Sequence, residues 1–190
     1  MVRATSVLID GGARMADRSE SERDREIAAL FDRHYDSMCR LAYVILGDAP
    51  LAEEIVMEAL LKTFSGWRRI RDLDRVDAYL KRSVVNLCRS KIRRKAIEAR
   101  VNATSYRREE RRAPDWDPER HETTRLVCEA VRELPERQRA CVVLRYYEDM
   151  PEAQIADILE CSVGTVKSQL SKARGKLERA LGNRLAGETP

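Results

Sequence analysis

The sequence predicts an all-α protein: two small helical bundles joined by a flexible linker. Apolar residues recur at three- and four-residue steps in two separate blocks, the period of one helix face. No stretch alternates apolar and polar residues as a half-buried strand does. Between the blocks, Arg107 to Arg112 is charge without apolar period, followed by Pro114 and Pro118, which is the composition of a tether. With 190 residues and only 5% aromatics, the chain suits two thin cores better than one large one.

The elements follow in order. Residues 1–22 join Gly11-Gly12 to a charged, serine-containing run and are expected to be a disordered tail. The first bundle is expected over 23–95. Its first helix carries Ile27, Leu30, Phe31, His34, Met38, Leu41, Ala42 and Ile45 on one stripe. Gly47 stops it, and Asp48 can cap a second helix with Pro50 in its first turn. That helix turns Leu51, Ile55, Ala59 and Leu60 inward. A break near Ser65-Gly66 precedes a third helix, opened by Asp74 or Asp77, whose apolar side is Tyr79, Leu80, Val84, Leu87 and Ile92. The linker spans 96–122, with Trp116 as a local docking residue. The second bundle is expected over 123–183, with a short tail over 184–190. Its first helix presents Leu126, Val127, Ala130, Val131 and Leu134, and Pro135 opens a second through Ala140, Val143 and Leu144.

The most informative segment runs from residue 151 to 181. Ile155, Ala156 and Leu159 share a face of a short helix, Glu160-Cys161-Ser162 make a turn, and Ser162 is a good N-cap. Val166 and Leu170 then face back. A short helix, a tight turn and a longer helix form the helix-turn-helix plan, in which the second helix enters the DNA major groove. Thr165, Lys167, Ser168, Ser171 and Lys172 fall on its outward side, with Arg174 and Lys176 beyond; these side chains bond phosphates or base edges. An amphipathic hairpin with a solvated basic face would show the same pattern.

Charge separates within the first bundle, although the net charge is only +4. From Lys81 to Lys95 there is no acid, and Lys81, Arg82, Arg89, Lys91, Arg93, Arg94 and Lys95 are basic, with Asn86 among them. Such a surface attracts phosphates, although cations also favour a helix C-terminus. Between Gly47 and Leu61 the charges are Asp48, Glu53, Glu54 and Glu58, with no base. That face would repel DNA and suits solvent or a basic protein partner.

Other classes find little support. There is no nucleophile–base pair, phosphate-binding glycine loop or metal cluster, so no catalysis, cofactor or metal is expected. Cys39, Cys88, Cys128, Cys141 and Cys161 lack the spacing of a zinc or CxxC site and are expected as reduced thiols. No apolar run approaches a signal core or a membrane span, which makes a cytoplasmic protein without membrane insertion the expectation.

The segment LPERQRACVVLRYYEDMPEAQIADILECSVGTVKSQLSKARGKL, Leu134 to Leu177, resembles the fourth conserved region of extracytoplasmic-function sigma factors of the sigma-70 family. Leu30 to Arg94, through LFDRHYDSMCRLAYVILGD, LAEEIVMEALLKTFSGWRRI and VDAYLKRSVVNLCRSKIRR, resembles their second region and is most like actinobacterial members labelled SigE-like. The resemblance implies an alternative sigma factor that binds core RNA polymerase and directs promoter-specific initiation. It implies docking of Leu51–Phe64 on the clamp helices of the polymerase largest subunit, through Glu53, Glu54, Met57 and Glu58. It implies −10 recognition by Arg82, Asn86, Arg89 and Arg93, with a base pocket expected over Ile70–Asp77, and −35 recognition by Thr165, Lys167, Ser168, Ser171 and Lys172. The second bundle is expected on the polymerase flap, and an anti-sigma factor is a further expected partner. Three positions depart from the family pattern: Met57 replaces a common glutamine, Gln169 a common arginine, and Pro151 a capping serine. The rival readings are a LuxR-like activator that binds DNA alone, an adaptor that binds only protein, and an enzyme.

Overall fold

A computed structural model describes residues 10–65, 76–101 and 122–186. Among them the backbone is helical throughout, apart from short turns: α1 (Asp10–Leu46), α2 (Ala49–Ser65), α3 (Val76–Val101), α4 (Glu122–Glu133), α5 (Glu136–Val142), a π-helical turn (Val143–Tyr147), α6 (Glu152–Leu159) and α7 (Val163–Ala186). The described residues fall into two compact units, divided between Asp36 and Ser37, inside α1. In the first unit the rings of Phe31 and Tyr35, one helical turn apart, stack with centroids 4.6 Å apart.

α1 begins at Asp10, inside the segment expected to be tail. Ala13, Ala16 and the long charged residues that follow favour helix, and the two glycines stand only in its first turn. Met38, Leu41, Ala42 and Ile45 are buried as expected. Gly47 ends the helix with φ +71°, and its N–H donates to Tyr43 O at 2.6 Å. Only glycine adopts that conformation freely, and a Cβ here would also run into the Arg132 side chain. Asp48 Oδ1 then accepts from the Leu51 N–H at 3.1 Å, capping α2.

α2 packs on α3. Leu51, Ile55, Ala59 and Leu60 are buried, with Ala52 and Val56 beside them. The buried face of α3 is Val76, Leu80, Val84, Val85 and Cys88. Tyr79 was expected inward; it lies one position off this stripe, and is 47% exposed. α3 also continues to Val101, beyond the expected boundary at 95, because Lys-Ala-Ile-Glu-Ala-Arg is a run of good helix formers. Residues 102–121, most of the expected linker including Trp116, lie outside the described residues.

The C-terminal helices close a second core of Ala130, Val131, Leu134, Ala140, Val143, Leu144, Ile155, Ile158, Val166, Leu170 and Ala173. Val127, expected inward, is 40% exposed. Ser162 caps α7, its Oγ accepting from the Thr165 N–H at 3.1 Å. Pro151 precedes α6 without a side-chain cap bond. α7 runs on to Ala186, through residues assigned to the short tail.

α3 packs against α5 and α6, so the two bundles of this unit are in direct contact. Arg139 helps to hold them. Its guanidinium donates to Ile45 O at 2.9 Å, to Leu134 O at 3.2 Å and to Arg132 O. These carbonyls lie at the ends of α1 and α4, where backbone acceptors lack intrahelical partners and a cation is favoured by the helix dipole.

Candidate nucleic-acid interface

The helix-turn-helix is α6, the turn and α7. Its turn is set by Glu160, which adopts left-handed φ 52°, ψ 52° as the C-cap of α6, with the Cys161 N–H donating to Ala156 O at 3.0 Å. Ile155 and Val166 are fully buried between the two helices. The expected residues then divide. Lys167, Ser168, Ser171 and Lys172 are exposed on the outer face of α7. Lys167 has Glu152 as a loose partner at 3.9 Å, both in contact with solvent, an ion pair too weak to withhold the lysine from a phosphate. Thr165 is turned partly inward: its Oγ1 shares a 2.9 Å hydrogen bond with Ser162 Oγ. It faces a small cavity of about 50 Å³ together with Gln169, Cys141, Cys161 and Arg89.

On α3, Arg82, Asn86, Arg89 and Arg93 are four, three and four residues apart and so form one stripe. Arg82, Asn86 and Arg93 line a polar recess of about 410 Å³ with Lys62, Tyr79, Ser83 and Ser90. The base pocket expected over Ile70–Asp77 falls largely on residues outside those described; this recess begins one turn later. Tyr79, which the helical period alone assigned to the core, has its ring half-exposed at this recess.

The basic stripe is only partly open to water, and acids from other elements pair with it. Arg89 is 8% exposed; its Nε donates to Glu136 Oε2 at 2.7 Å, and its Nη1 reaches Asn86 Oδ1 only at 3.4 Å. Arg93 stands 3.6 Å from the same Glu136. Arg82 pairs with Glu160. Lys81 lies between Asp77 at 3.2 Å and Glu148 at 2.9 Å. Burial works against the Lys81 ammonium, but hydrogen bonds and charge from Glu148, then Asp77, outweigh it and leave its pKa raised. Asp77 belongs to α3 itself, but sequence reading could not find Glu136, Glu148 and Glu160, which come from α5, the end of the π-helical turn and the α6 cap, far away in the chain.

α2 presents a third face. Glu53, Glu54, Met57 and Glu58 are all exposed on it, at helical spacing. Glu58 holds Lys62 at 2.6 Å. Leu61, absent from the sequence expectation, is 60% exposed on the same face, so the surface is acidic with an apolar edge.

An apolar recess of about 390 Å³ is walled by Val44, Val127, Val131, Val143, Tyr146 and Leu177, among others. Tyr146 Oη accepts from Arg174 Nε at 3.0 Å. All five cysteines are free, four of them buried. Burial, with Cys161 nearby, pushes the Cys141 thiol up to about 11, which disfavours a thiolate. Among the described residues there is no group of side chains that could hold a metal ion and no helix long and apolar enough to cross a membrane.

A helix-turn-helix with a basic outer face, accompanied by a second basic helix, defines a DNA-binding protein of the transcription class. The family described as Sigma-70 region 2 matches residues 30–97, and that described as Sigma-70, region 4 matches residues 125–177. The chain is 31% identical over 159 residues to the RNA polymerase sigma-E factor of Streptomyces antibioticus, covering 84% of this chain and 86% of that one. It is 32% identical over 153 residues to the ECF RNA polymerase sigma factor SigM of Mycobacterium tuberculosis, covering 80% and 76%. Its fold is similar to that of the sigma factor RpoE of Bartonella quintana, solved with the anti-sigma factor NepR, at TM-score 0.66 and 18% identity over 83% of this chain and 98% of that one. It is also similar to CnrH, solved with the cytosolic domain of CnrY, at TM-score 0.62 and 21% identity over 88% and 95%. The chain belongs to the extracytoplasmic-function group of the sigma-70 family.

Proposed function

We propose that the chain is an alternative sigma factor that binds core RNA polymerase in the cytoplasm and directs initiation at its own promoters, without catalysing a reaction itself. The observation that carries this reading is the occurrence, in order on one chain, of both sigma-70 regions, with three chemically distinct faces on α2, α3 and α7. In this reading residues 23–95 form the polymerase-docking and −10 domain, and residues 123–183 the −35 domain. The acidic, apolar-edged face of α2 suits the clamp helices of the largest subunit. Arg82, Asn86, Arg89 and Arg93 would contact the −10 element, with the recess beside Tyr79 receiving an unstacked base. Lys167, Ser168, Ser171 and Lys172 would read the −35 element, Thr165 supporting the turn more than touching DNA. The apolar recess between Val127 and Tyr146 suits the polymerase flap. An anti-sigma factor is a further proposed partner; the sigma factor RpoE of Bartonella quintana was solved with one.

Transcription in vitro with purified core polymerase on a genomic promoter library tests the whole reading. New start sites that appear only with this protein are expected. A protein that shifts duplex DNA alone and adds no start site is an activator instead. Reversing the α2 charges in a Glu53→Lys, Glu54→Lys, Glu58→Lys variant is expected to weaken association with core polymerase about 10–100-fold, as loss of several complementary charges does at an interface. Circular dichroism should be unchanged, since all three side chains are exposed. Undiminished binding in a pull-down with core polymerase would place the docking face elsewhere.

A further inference from the structure

We propose that Cys141 and Cys161 are a redox pair: a hydroperoxide oxidises Cys161, and Cys141 then closes a disulfide that staples α5 to the turn of the helix-turn-helix. The two cysteines come from different elements, one from α5 and one from the turn between α6 and α7. Both line the same cavity of about 50 Å³, with Arg89, Arg137 and Thr165 also on its wall. They are near enough for a charge on one to act on the other. In a reducing compartment, a disulfide that forms and is reduced again is the sensing kind rather than a structural one.

Burial divides the roles. Cys161 is partly open to solvent, whereas Cys39, Cys88, Cys128 and Cys141 are buried. Oxidation follows exposure and thiolate character, so a peroxide meets Cys161 first. Burial holds the Cys141 thiol up at about 11, which keeps it protonated and out of the first step. The cavity exceeds the roughly 15 Å³ that one water needs, and the two guanidinium groups and the Thr165 hydroxyl give it hydrogen-bond donors for a peroxide oxygen. With hydrogen peroxide, the Cys161 sulfur attacks one oxygen and the O–O bond breaks. The departing hydroxide leaves as water with the thiol proton, and Cys161 becomes a sulfenic acid. The Cys141 sulfur then attacks the Cys161 sulfur. An S–S bond forms, the S–O bond breaks, and the hydroxide leaves with the Cys141 proton as a second water. Two thiols lose two electrons, and the peroxide takes them up.

The bond acts on the helix that reads DNA, a consequence that rests on the assignment of α7 to the −35 element. Bonded sulfurs stand about 2.05 Å apart, well inside the contact distance of unbonded atoms, so closure draws the turn toward α5. That turn is short and sharply set: Glu160 is left-handed, and the Cys161 N–H donates to Ala156 O at 3.0 Å. Ser162, the cap of α7, follows Cys161 directly, and its Oγ bonds both the Thr165 N–H and the Thr165 hydroxyl. A shift of Cys161 therefore moves the first turn of α7, just before Lys167 and Ser168.

The test uses the reduced full chain, treated with hydrogen peroxide, quenched with catalase, alkylated in denaturant and digested for mass spectrometry. The expected product is one chain in which the peptides of Cys141 and Cys161 are joined, lighter by two hydrogens and separated again by dithiothreitol, with Cys39, Cys88 and Cys128 still alkylated. In a Cys141→Ala variant, dimedone is expected to trap Cys161 as the sulfenic acid. A parent in which Cys161 stays a thiol, runs on to the sulfinic acid, or joins another cysteine or a second molecule overturns the pair. The quenched protein is then added to core polymerase. Output from a promoter with an intact −35 element is expected to fall about tenfold, the equivalent of one base contact, and to return with dithiothreitol. A Cys161→Ser variant is expected to keep its output after peroxide; an equal loss in that variant overturns the switch. The mass measurement does not depend on the DNA assignment: a joined pair in a protein whose reduced form ignores the −35 element upholds the pair and overturns that assignment instead.

Discussion

The Lys167→Ala, Lys172→Ala double variant is expected to lose roughly 30-fold or more of promoter-specific transcription, since each contact to a base edge contributes roughly 1–3 kcal/mol and two together at least about 2 kcal/mol. Both side chains leave the exposed face of α7, and neither supports the core, which here is Val166, Leu170 and Ala173. The variant should therefore fold, and bind core polymerase, as the parent does. Transcription from a promoter with an altered −35 element separates a groove contact from a general loss. The parent should lose output when that element is scrambled, while the double variant should be nearly indifferent to it. A double variant with parental output would remove α7 from the DNA interface.

Arg139→Ala is expected to lower stability by about 2–4 kcal/mol and Tm by roughly 5–15 °C, because hydrogen bonds from a charged donor contribute about 1.5–3 kcal/mol and their loss leaves acceptors unmet. One planar guanidinium serves Ile45 O, Arg132 O and Leu134 O at once. The last carbonyls of α1 and α4 have few other partners. Lysine keeps the charge but not the fork, so Arg139→Lys should recover less than half of the loss. Thermal unfolding followed at 222 nm measures both variants, and an Arg139→Ala Tm within 2 °C or so of the parent would refute this role.

The contrast between these two sites marks how far the sequence could be read. Lys167 and Lys172 were legible because a surface helix announces its outer face by period alone, once Ser162 fixes where it starts. The same logic located Gly47 as a stop, Asp48 as a cap, and Met38, Ile55, Val84 and Leu170 as core. It failed where a residue's environment is made by distant parts of the chain. Tyr79 looks apolar in a list of letters, yet its neighbours are Arg82, Ser83 and Asn86 around a polar recess. Arg139 looks like any surface arginine, and its role depends on the meeting of α1, α4 and α5. Arg89 was selected as a DNA contact by its charge, while its 2.7 Å bond to Glu136 spans both bundles. α1 begins before position 22 and α3 continues past position 95 for a local reason. Runs of charged residues were read as loop, although alanine, glutamate, lysine and arginine are also good helix formers.

The π-helical turn at Val143–Tyr147, closed by the Glu148 N–H on Val143 O at 3.2 Å, makes this stretch sensitive to chain length. A wide turn of this kind holds one residue more than an α-helical turn. One further inserted residue, with no second wide turn to take it up, would rotate everything downstream by about 100° around the helix axis. Glu148 would swing away from Lys81, and the helix-turn-helix would be re-aimed relative to α5. Substitutions at Tyr146 and Tyr147, both exposed, leave that register intact. Over these five positions, then, divergence can proceed by exchange of side chains, while further insertions are confined to the segments on either side.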